Sequence, residues 1–359
     1  MKTFVVIPCF NEQENLAATC FSLGFGLGRA PSANLVLVDN ASTDSTPEVM
    51  AQLRETVGVR NISIVYEPTR GYVPARHAGV SAVMELARQE GFRSNDVLVL
   101  QADADTKYLP GYIDAMSGAI SGRPGELIEG AAVVGREFRA EFPEFHALCC
   151  RVDYSVEPWF AADEAQVIVD DKVCGFSLAD YYRWGGHRQE IDSLGREIYV
   201  ETTRLFMHAK RAQPAYRIKV AGAYAVPSRR RLWTQGPAYF ASAGFPRDAE
   251  WIRSWVRQLP SSRDFLTTPF AWPSLTSAIR SRQRHLLALF CLLPAACQNG
   301  PPPSQFQLAL VSALRHLAGN DEPKCLLEAA LFLADEENGI LDKFLDQGLI
   351  PRSSLNFNS

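Results

Sequence analysis

Through its first hundred or so residues the chain alternates short apolar runs, rich in β-branched residues, with amphipathic runs of helical period, an order that few folds accept. The apolar runs predict strands at Thr3–Pro8, Asn34–Asp39, Ile62–Tyr66 and Asp96–Gln101. The amphipathic runs predict helices at Glu12–Leu23, Asp44–Val57 and Val73–Glu90. Strands joined by crossover helices lie parallel in one sheet covered on both faces, which is why each reads as a continuous apolar run. In such a sheet the loops leaving the strand C-termini line the ligand crevice. The polar residues at those exits are therefore read first: Asn11-Glu12, Asp39 to Asp44, Arg70-Gly71 and Asp103-Ala104-Asp105.

Beyond Pro110 the period is mixed. Strand-like stretches at Ile128–Val134, Gln166–Asp170 and Arg217–Val226 and helical stretches at Phe145–Val156 and Tyr199–Arg211 read as the rest of the same domain. After Pro227 the composition shifts. Prolines at 260, 269 and 273 punctuate a linker, and helical runs follow at Ser274–Leu292, Gln305–Leu317, Lys324–Glu336 and Ile340–Gln347. The expected division is an α/β domain over 1–235 and a linker with an α-helical region over 236–359.

With 359 residues, 47% of them hydrophobic, the chain has enough core for that division. A formal net charge of -4 and a pI near 5.9 argue against a protein that coats nucleic acid or an anionic membrane, local basic clusters remaining open. The eight cysteines form no CxxC pair and sit in apolar stretches, the pattern of reduced thiols and not of a disulfide or zinc framework. The N-terminal apolar run is too short for a signal peptide, and Leu286 to Cys297 is too short to span a bilayer. A cytoplasmic enzyme is expected. P-loop, zincin and hydrolase-elbow motifs do not occur.

Asp103-Ala104-Asp105 leaves the strand Val97-Leu98-Val99-Leu100 with two carboxylates separated by one residue. Hard cations take oxygen ligands, and Mg²⁺ or Mn²⁺ is usually held by one or two carboxylates together with substrate phosphates. At this point the chain resembles the family 2 glycosyltransferases, through several motifs in the same order. Val5-Val6-Ile7-Pro8-Cys9-Phe10-Asn11-Glu12 is similar to the family's first strand and turn, and Val38-Asp39-Asn40-Ala41-Ser42-Thr43-Asp44 to its second. Gly71-Tyr72-Val73-Pro74-Ala75-Arg76-His77-Ala78-Gly79 resembles Gly-x-x-x-Ala-Arg-Asn-x-Gly. Asp103-Ala104-Asp105 matches the metal motif, and Gly185-Gly186 with Glu201-Thr202 resembles the Gly-Gly…Glu-Asp segment. The likeness covers about residues 3–210. Two departures stand out: His77 in place of Asn, and Thr202 in place of Asp.

The resemblance implies a GT-A fold, a Rossmann-like and mostly parallel sheet with flanking helices. It also implies inverting, metal-dependent transfer of a sugar from a UDP- or GDP-sugar to a hydroxyl acceptor. Pro8, Asn11, Glu12, Asp39, Arg76 and Asp103 would bind the donor, and Asp103 and Asp105 would hold Mn²⁺ or Mg²⁺. Glu201 would be the catalytic base, with Asp192 and Glu197 as nearby carboxylates. The bland reading of Asp39 to Asp44 is a helix N-cap, compatible with ligand contact by other residues of the loop. Arg229 and Arg230, in Ser228-Arg229-Arg230-Arg231, suit bidentate contact with a diphosphate, the other reading being a solvated charge run. The acceptor classes in play are a sugar, a lipid-linked sugar and a small molecule. The C-terminal helices are candidates for a homodimer contact or a peripheral membrane contact. The enzymatic rival is a sugar nucleotidyltransferase, which expects a glycine-rich turn where this chain has Pro8 to Glu12. The non-enzymatic rival is a nucleotide-sugar-binding protein without catalysis.

Overall fold

The computed structural model describes residues 1–26, 32–58, 61–191, 195, 197–212, 214–245, 261–297 and 305–347. They form two compact units, Met1–Val134 with Val169–Ser228, and Gly135–Ile168 with Arg229–Ser359.

The first unit is an α/β sheet. Its strands are β1 (Lys2–Cys9), β2 (Ala33–Asp39), β3 (Ile62–Tyr66), β4 (Val97–Gln101), β5 (Thr106–Tyr108), β6 (Glu126–Ala132), β7 (Cys174–Ser177) and β8 (Tyr216–Pro227), in the order β3-β2-β1-β4-β7-β6-β8-β5. The first four are parallel, as the alternation predicts. β7 then runs antiparallel to both β4 and β6, so the sheet is mixed. Alternate residues of the parallel strands serve two cores. Val5, Ile7, Leu35, Leu37, Leu98 and Leu100 face one, and Phe4, Val6, Val36, Val38, Val97 and Val99 the other. Helices α1 (Leu16–Ser22) and α2 (Thr46–Val57) cover the first core, while α3 (Tyr72–Gln89) covers the second.

Helix α3 lies close on β1 and β2 because Gly79 has no side chain. A Cβ there would sit 2.3 Å from Val6 Cγ1 and 3.0 Å from Val38 Cγ2. That close approach places Arg76, one turn earlier, at the C-terminal edge of the parallel strands. Gly79→Ala is expected to destabilise the protein by about 1–3 kcal/mol through overpacking, partly offset by the better helix propensity of alanine. A lower urea midpoint with an unchanged slope checks it.

The predicted strand at Gln166–Asp170 does not form. The backbone N–H groups that a ladder would use are claimed by side chains. Val169 N–H donates to Thr203 Oγ1 at 3.0 Å and Asp170 N–H to Glu129 Oε1 at 2.9 Å. A single 3₁₀ turn, Asp171–Val173, leads into β7 instead. Buried Glu129 is itself held by Arg217 Nε at 2.5 Å and Lys219 Nζ at 3.0 Å, so the 170–172 segment hangs from a fixed point.

The second unit is helical. Phe142, Phe145, Leu148 and Val152, around the helix Pro143–Val156, bury against Leu232, Phe240, Phe265, Trp272 and Ile279. The segment 135–168, which the sequence analysis placed with the N-terminal domain, packs here. Inside it, Arg282 on the helix Leu275–Leu287 donates to both oxygens of Asp153, at 2.6 and 2.8 Å. Among the described residues no helix is long and apolar enough to cross a membrane.

Candidate active site

At the strand exits, Cys9, Asp39 and Tyr66 lie in register across β1, β2 and β3. Half-buried Pro8 precedes Cys9 in β1. Asn11 turns the chain with φ 56, and its Oδ1 accepts Thr43 N–H at 2.8 Å. Glu12 N–H donates to Thr46 Oγ1 at 2.8 Å, and Glu12 Oε2 accepts Asn15 Nδ2 at 3.0 Å. Asp39, 6% exposed, accepts Ser42 N–H at 3.0 Å, while Asp44 Oδ1 accepts Thr46 N–H at 3.0 Å at the start of α2. Asp44, one residue before the N-cap Ser45, thus holds the first N–H of α2. Asn40 ties it to α3, accepting Gly71 N–H at 3.0 Å and donating to Thr69 O at 2.7 Å.

The centre of the site is Arg76, 4% exposed. Its Nη2 donates to Asp103 Oδ1 at 2.8 Å and its Nε to Glu201 Oε1 at 2.6 Å. Burial disfavours its charge, but Asp103, Glu201 and Asp171 outweigh burial and hold the guanidinium firmly protonated. Its Nη1 is buried with no partner among the described residues. A buried donor left open in this way fits an anionic ligand arriving from the crevice. Glu201, also 4% exposed, opens the helix Glu201–Ala212. Asp103 N–H donates to Tyr108 Oη at 3.0 Å, and Tyr108 Oη donates to Lys172 O at 2.8 Å, so Asp103 is braced against the 170–172 segment. Asp105 is half-buried, and its carbonyl accepts Ser228 N–H at 3.1 Å.

Asp171 and Lys172 were not singled out in the sequence, although the signal was available. Asp170-Asp171-Lys172 leaves the apolar run Val167-Ile168-Val169 as Asp103 leaves β4. Asp171 is half-buried, and its Oδ1 accepts Thr202 N–H at 3.2 Å. Burial first, then the charge of Glu201, raises its pKa to about 7, with Arg76 working against them. Lys172 Nζ pairs with Asp170. Thr202, fully buried, turns its hydroxyl to Gln101 Nε2 at 3.0 Å and His187 Nε2 at 3.2 Å. His77 Nδ1 lies 2.9 Å from Tyr181 Oη, tying α3 to the helix Leu178–Arg183. Glu197 caps α3, accepting Tyr72 N–H at 3.1 Å and Val73 N–H at 3.2 Å. A Cβ at Gly71, whose φ is 148, would sit 2.6 Å from Glu197 Oε2, so glycine is required there. Asp192 lies outside the described residues. Arg229 and Arg230 are the first residues of the second unit after Ser228. There the Arg229 guanidinium stacks 5.3 Å from the Phe138 ring.

The raised pKa of Asp171 has a consequence for stability. The folded value lies above the ordinary carboxylate value near 3.9, so the group binds more protons folded than unfolded. Its favourable contribution is complete below about pH 4 and is lost as pH rises through about 7. Asp171→Asn should therefore gain stability relative to wild type as pH climbs over that window. Paired urea titrations at pH 5 and pH 8 test the sign.

Among the described residues no group of three or more His, Cys, Asp and Glu is set to hold a metal ion. The protein offers Asp103 and Asp105, and Asp103 Oδ1 is already bound by Arg76. This donor set fits a cation that takes the rest of its ligands from a diphosphate and water, as Mg²⁺ and Mn²⁺ do.

Four parallel strands thus carry at their C-terminal edge Asp39, the carboxylate pair and a buried bridging arginine. Residues 4–123 match glycosyl transferase family 2. Uncharacterized glycosyltransferases of Mycobacterium bovis and Mycobacterium tuberculosis are 38% identical over 78 residues, which is 22% of this chain. The match spans 30% of the length of those relatives. Among solved structures, the mannosyltransferase PcManGT from Pyrobaculum calidifontis, in complex with GDP-Man and Mn²⁺, aligns at 17% identity and TM-score 0.42, over 93% of this chain and 88% of its own. TarS 1–349 of S. aureus, in complex with UDP-GlcNAc, aligns at 13% identity and TM-score 0.46, over 97% and 92%.

Proposed function

We propose that the protein transfers a sugar from a UDP- or GDP-sugar to a hydroxyl acceptor, by single displacement with inversion and with Mn²⁺ or Mg²⁺. The observation that carries this reading is the bridge from Asp103 through buried Arg76 to Glu201, which joins the candidate metal motif to the carboxylates behind it. Asp103 and Asp105 would hold the cation, which when bound offsets charge on the departing diphosphate. Asp39, Asn11 and Glu12, with Pro8 beneath them, form the edge assigned to base and ribose, and the open Nη1 of Arg76 is a donor for the diphosphate side. The carboxylates grouped around Arg76 would supply the group that takes the acceptor proton. The cysteines among the described residues are free thiols, in keeping with a reducing, cytoplasmic setting.

A thermal-shift panel of UDP- and GDP-sugars, with and without Mn²⁺, tests the reading. A donor at a hundredfold over its dissociation constant stabilises by about 2.7 kcal/mol. One nucleotide-sugar should raise the midpoint more with Mn²⁺ than without it. A panel in which none does so contradicts the proposal.

A further inference from the structure

We propose that Asp171, and not Glu201, is the general base, an inference that rests on the transferase reading above. A base must reach the acceptor and be free to take a proton. Glu201 meets neither condition well, being 4% exposed with Oε1 bound to Arg76 Nε at 2.6 Å. The next residue, Thr202, carries no carboxylate, and its hydroxyl is turned inward to Gln101 and His187. The backbone N–H of that same Thr202 is what holds Asp171 Oδ1, at 3.2 Å. Position 171 therefore supplies, beside residue 202, the carboxylate that residue 202 lacks. Asp171 is half-buried, and among the described residues it makes no ion pair.

Its setting suits the role. Glu201 faces it from the helix Glu201–Ala212, Arg76 from α3 and Asp103 from the end of β4; Asp170, Lys172 and Cys174 flank it on its own segment and β7. Burial and the Glu201 charge place its titration at about 7, where a base is still ionised at neutral pH yet holds a proton strongly. In the step, the acceptor oxygen bonds to the anomeric carbon as its O–H proton passes to an Asp171 oxygen. The bond from the anomeric carbon to the diphosphate oxygen breaks, and the leaving nucleoside diphosphate keeps the electron pair. Glu201 is then a positioning residue, holding Arg76 and raising the basicity of Asp171.

The experiment follows release of UDP or GDP, from the nucleotide-sugar that the thermal panel selects, with Mn²⁺ and water as the simplest acceptor, from pH 5.5 to 9. In wild type the rate should rise through about pH 7. Asp171→Asn should lose about a hundred- to ten-thousandfold in rate while its dissociation constant for UDP or GDP, by calorimetry, changes less than about twofold. Asp171→Ala should regain part of the rate in sodium formate, which a purely structural role does not permit. Glu201→Gln should keep a rising limb but move it to lower pH, because the charge that raises Asp171 is gone. Near-native release by Asp171→Asn, with the limb still at about 7 and Glu201→Gln dead, overturns the inference and makes Glu201 the base. A wild type that binds UDP or GDP but releases neither from any donor overturns the transferase reading, and the base with it.

Discussion

Replacing Arg76 by methionine is expected to produce the largest loss of stability of any single change in the first unit. The guanidinium is 4% exposed and bonded to Asp103 and Glu201 at 2.8 and 2.6 Å. Methionine fills most of the volume, so the loss reports charge and not a cavity. What remains is a buried Glu201 and a half-exposed Asp103 without the guanidinium that bonded both, beside Asp171. Removing one partner of a buried pair costs about 3–5 kcal/mol, because the other charge stays desolvated and alone. The carboxylates can escape by taking up protons, so the deficit should be smaller at pH 5 than at pH 8. Donor affinity should fall as well, since the open Nη1 goes with the residue. Arg76→Lys keeps one charge but cannot serve two carboxylates and a ligand from a planar fork, and should fall between wild type and methionine. Urea denaturation of both variants at the two pH values is the measurement. A methionine variant within about 1 kcal/mol of wild type contradicts a bridging role, that being the size of an ordinary surface change or exposed ion pair.

Asp105→Asn should have the largest effect on activity with the smallest effect on the fold. The backbone carbonyl of Asp105, which the substitution leaves in place, takes Ser228 N–H at 3.1 Å. The side chain is half-buried and is one of the two carboxylates proposed to hold the cation. Asparagine keeps the shape but loses the charged oxygen that a hard cation prefers. A bound cation is worth several kcal/mol of transition-state stabilisation, so turnover should fall by about a thousandfold or more. The part of UDP or GDP affinity that depends on Mn²⁺ should vanish, and the part that does not should persist. Calorimetry with and without Mn²⁺ separates the two, and an Asp105→Asn variant that still binds UDP or GDP more tightly in Mn²⁺ removes Asp105 from the metal site.

The parallel half of the sheet was legible because strands buried on both faces read as continuous apolar runs. The polar residues at the exits of β1, β2 and β4 were legible because they follow those runs at once. Arg76 could be suspected from its motif, but its burial could not. That burial depends on Gly79 letting α3 settle on Val6 and Val38, contacts across 73 and 41 residues of sequence. Asp171 was missed for a related reason. Val167-Ile168-Val169 has the local pattern of a strand, yet its backbone partners are the side chains of Thr203 and Glu129, which no local pattern reveals. The segment 135–168 was assigned by proximity in sequence, whereas Phe145 packs on Phe240 and Phe265, about a hundred residues away. Composition near 145 carries no mark of that choice. The caps fared in between. Asp44 was readable as a cap from its type and place, but the cap on α3 comes from Glu197, which a sequence reading treats only as a carboxylate near Glu201.

The central claim is that the wild-type chain breaks the bond between a sugar and a nucleoside diphosphate in a metal-dependent way, and released UDP or GDP measures that directly. Purified protein would be incubated with UDP- and GDP-sugars in Mn²⁺, in excess EDTA, and in EDTA followed by restored Mn²⁺. The expected result is release from at least one donor in Mn²⁺, none above background in EDTA, and recovery when Mn²⁺ returns. Release undiminished in EDTA, or no release from any donor under any condition, contradicts the claim.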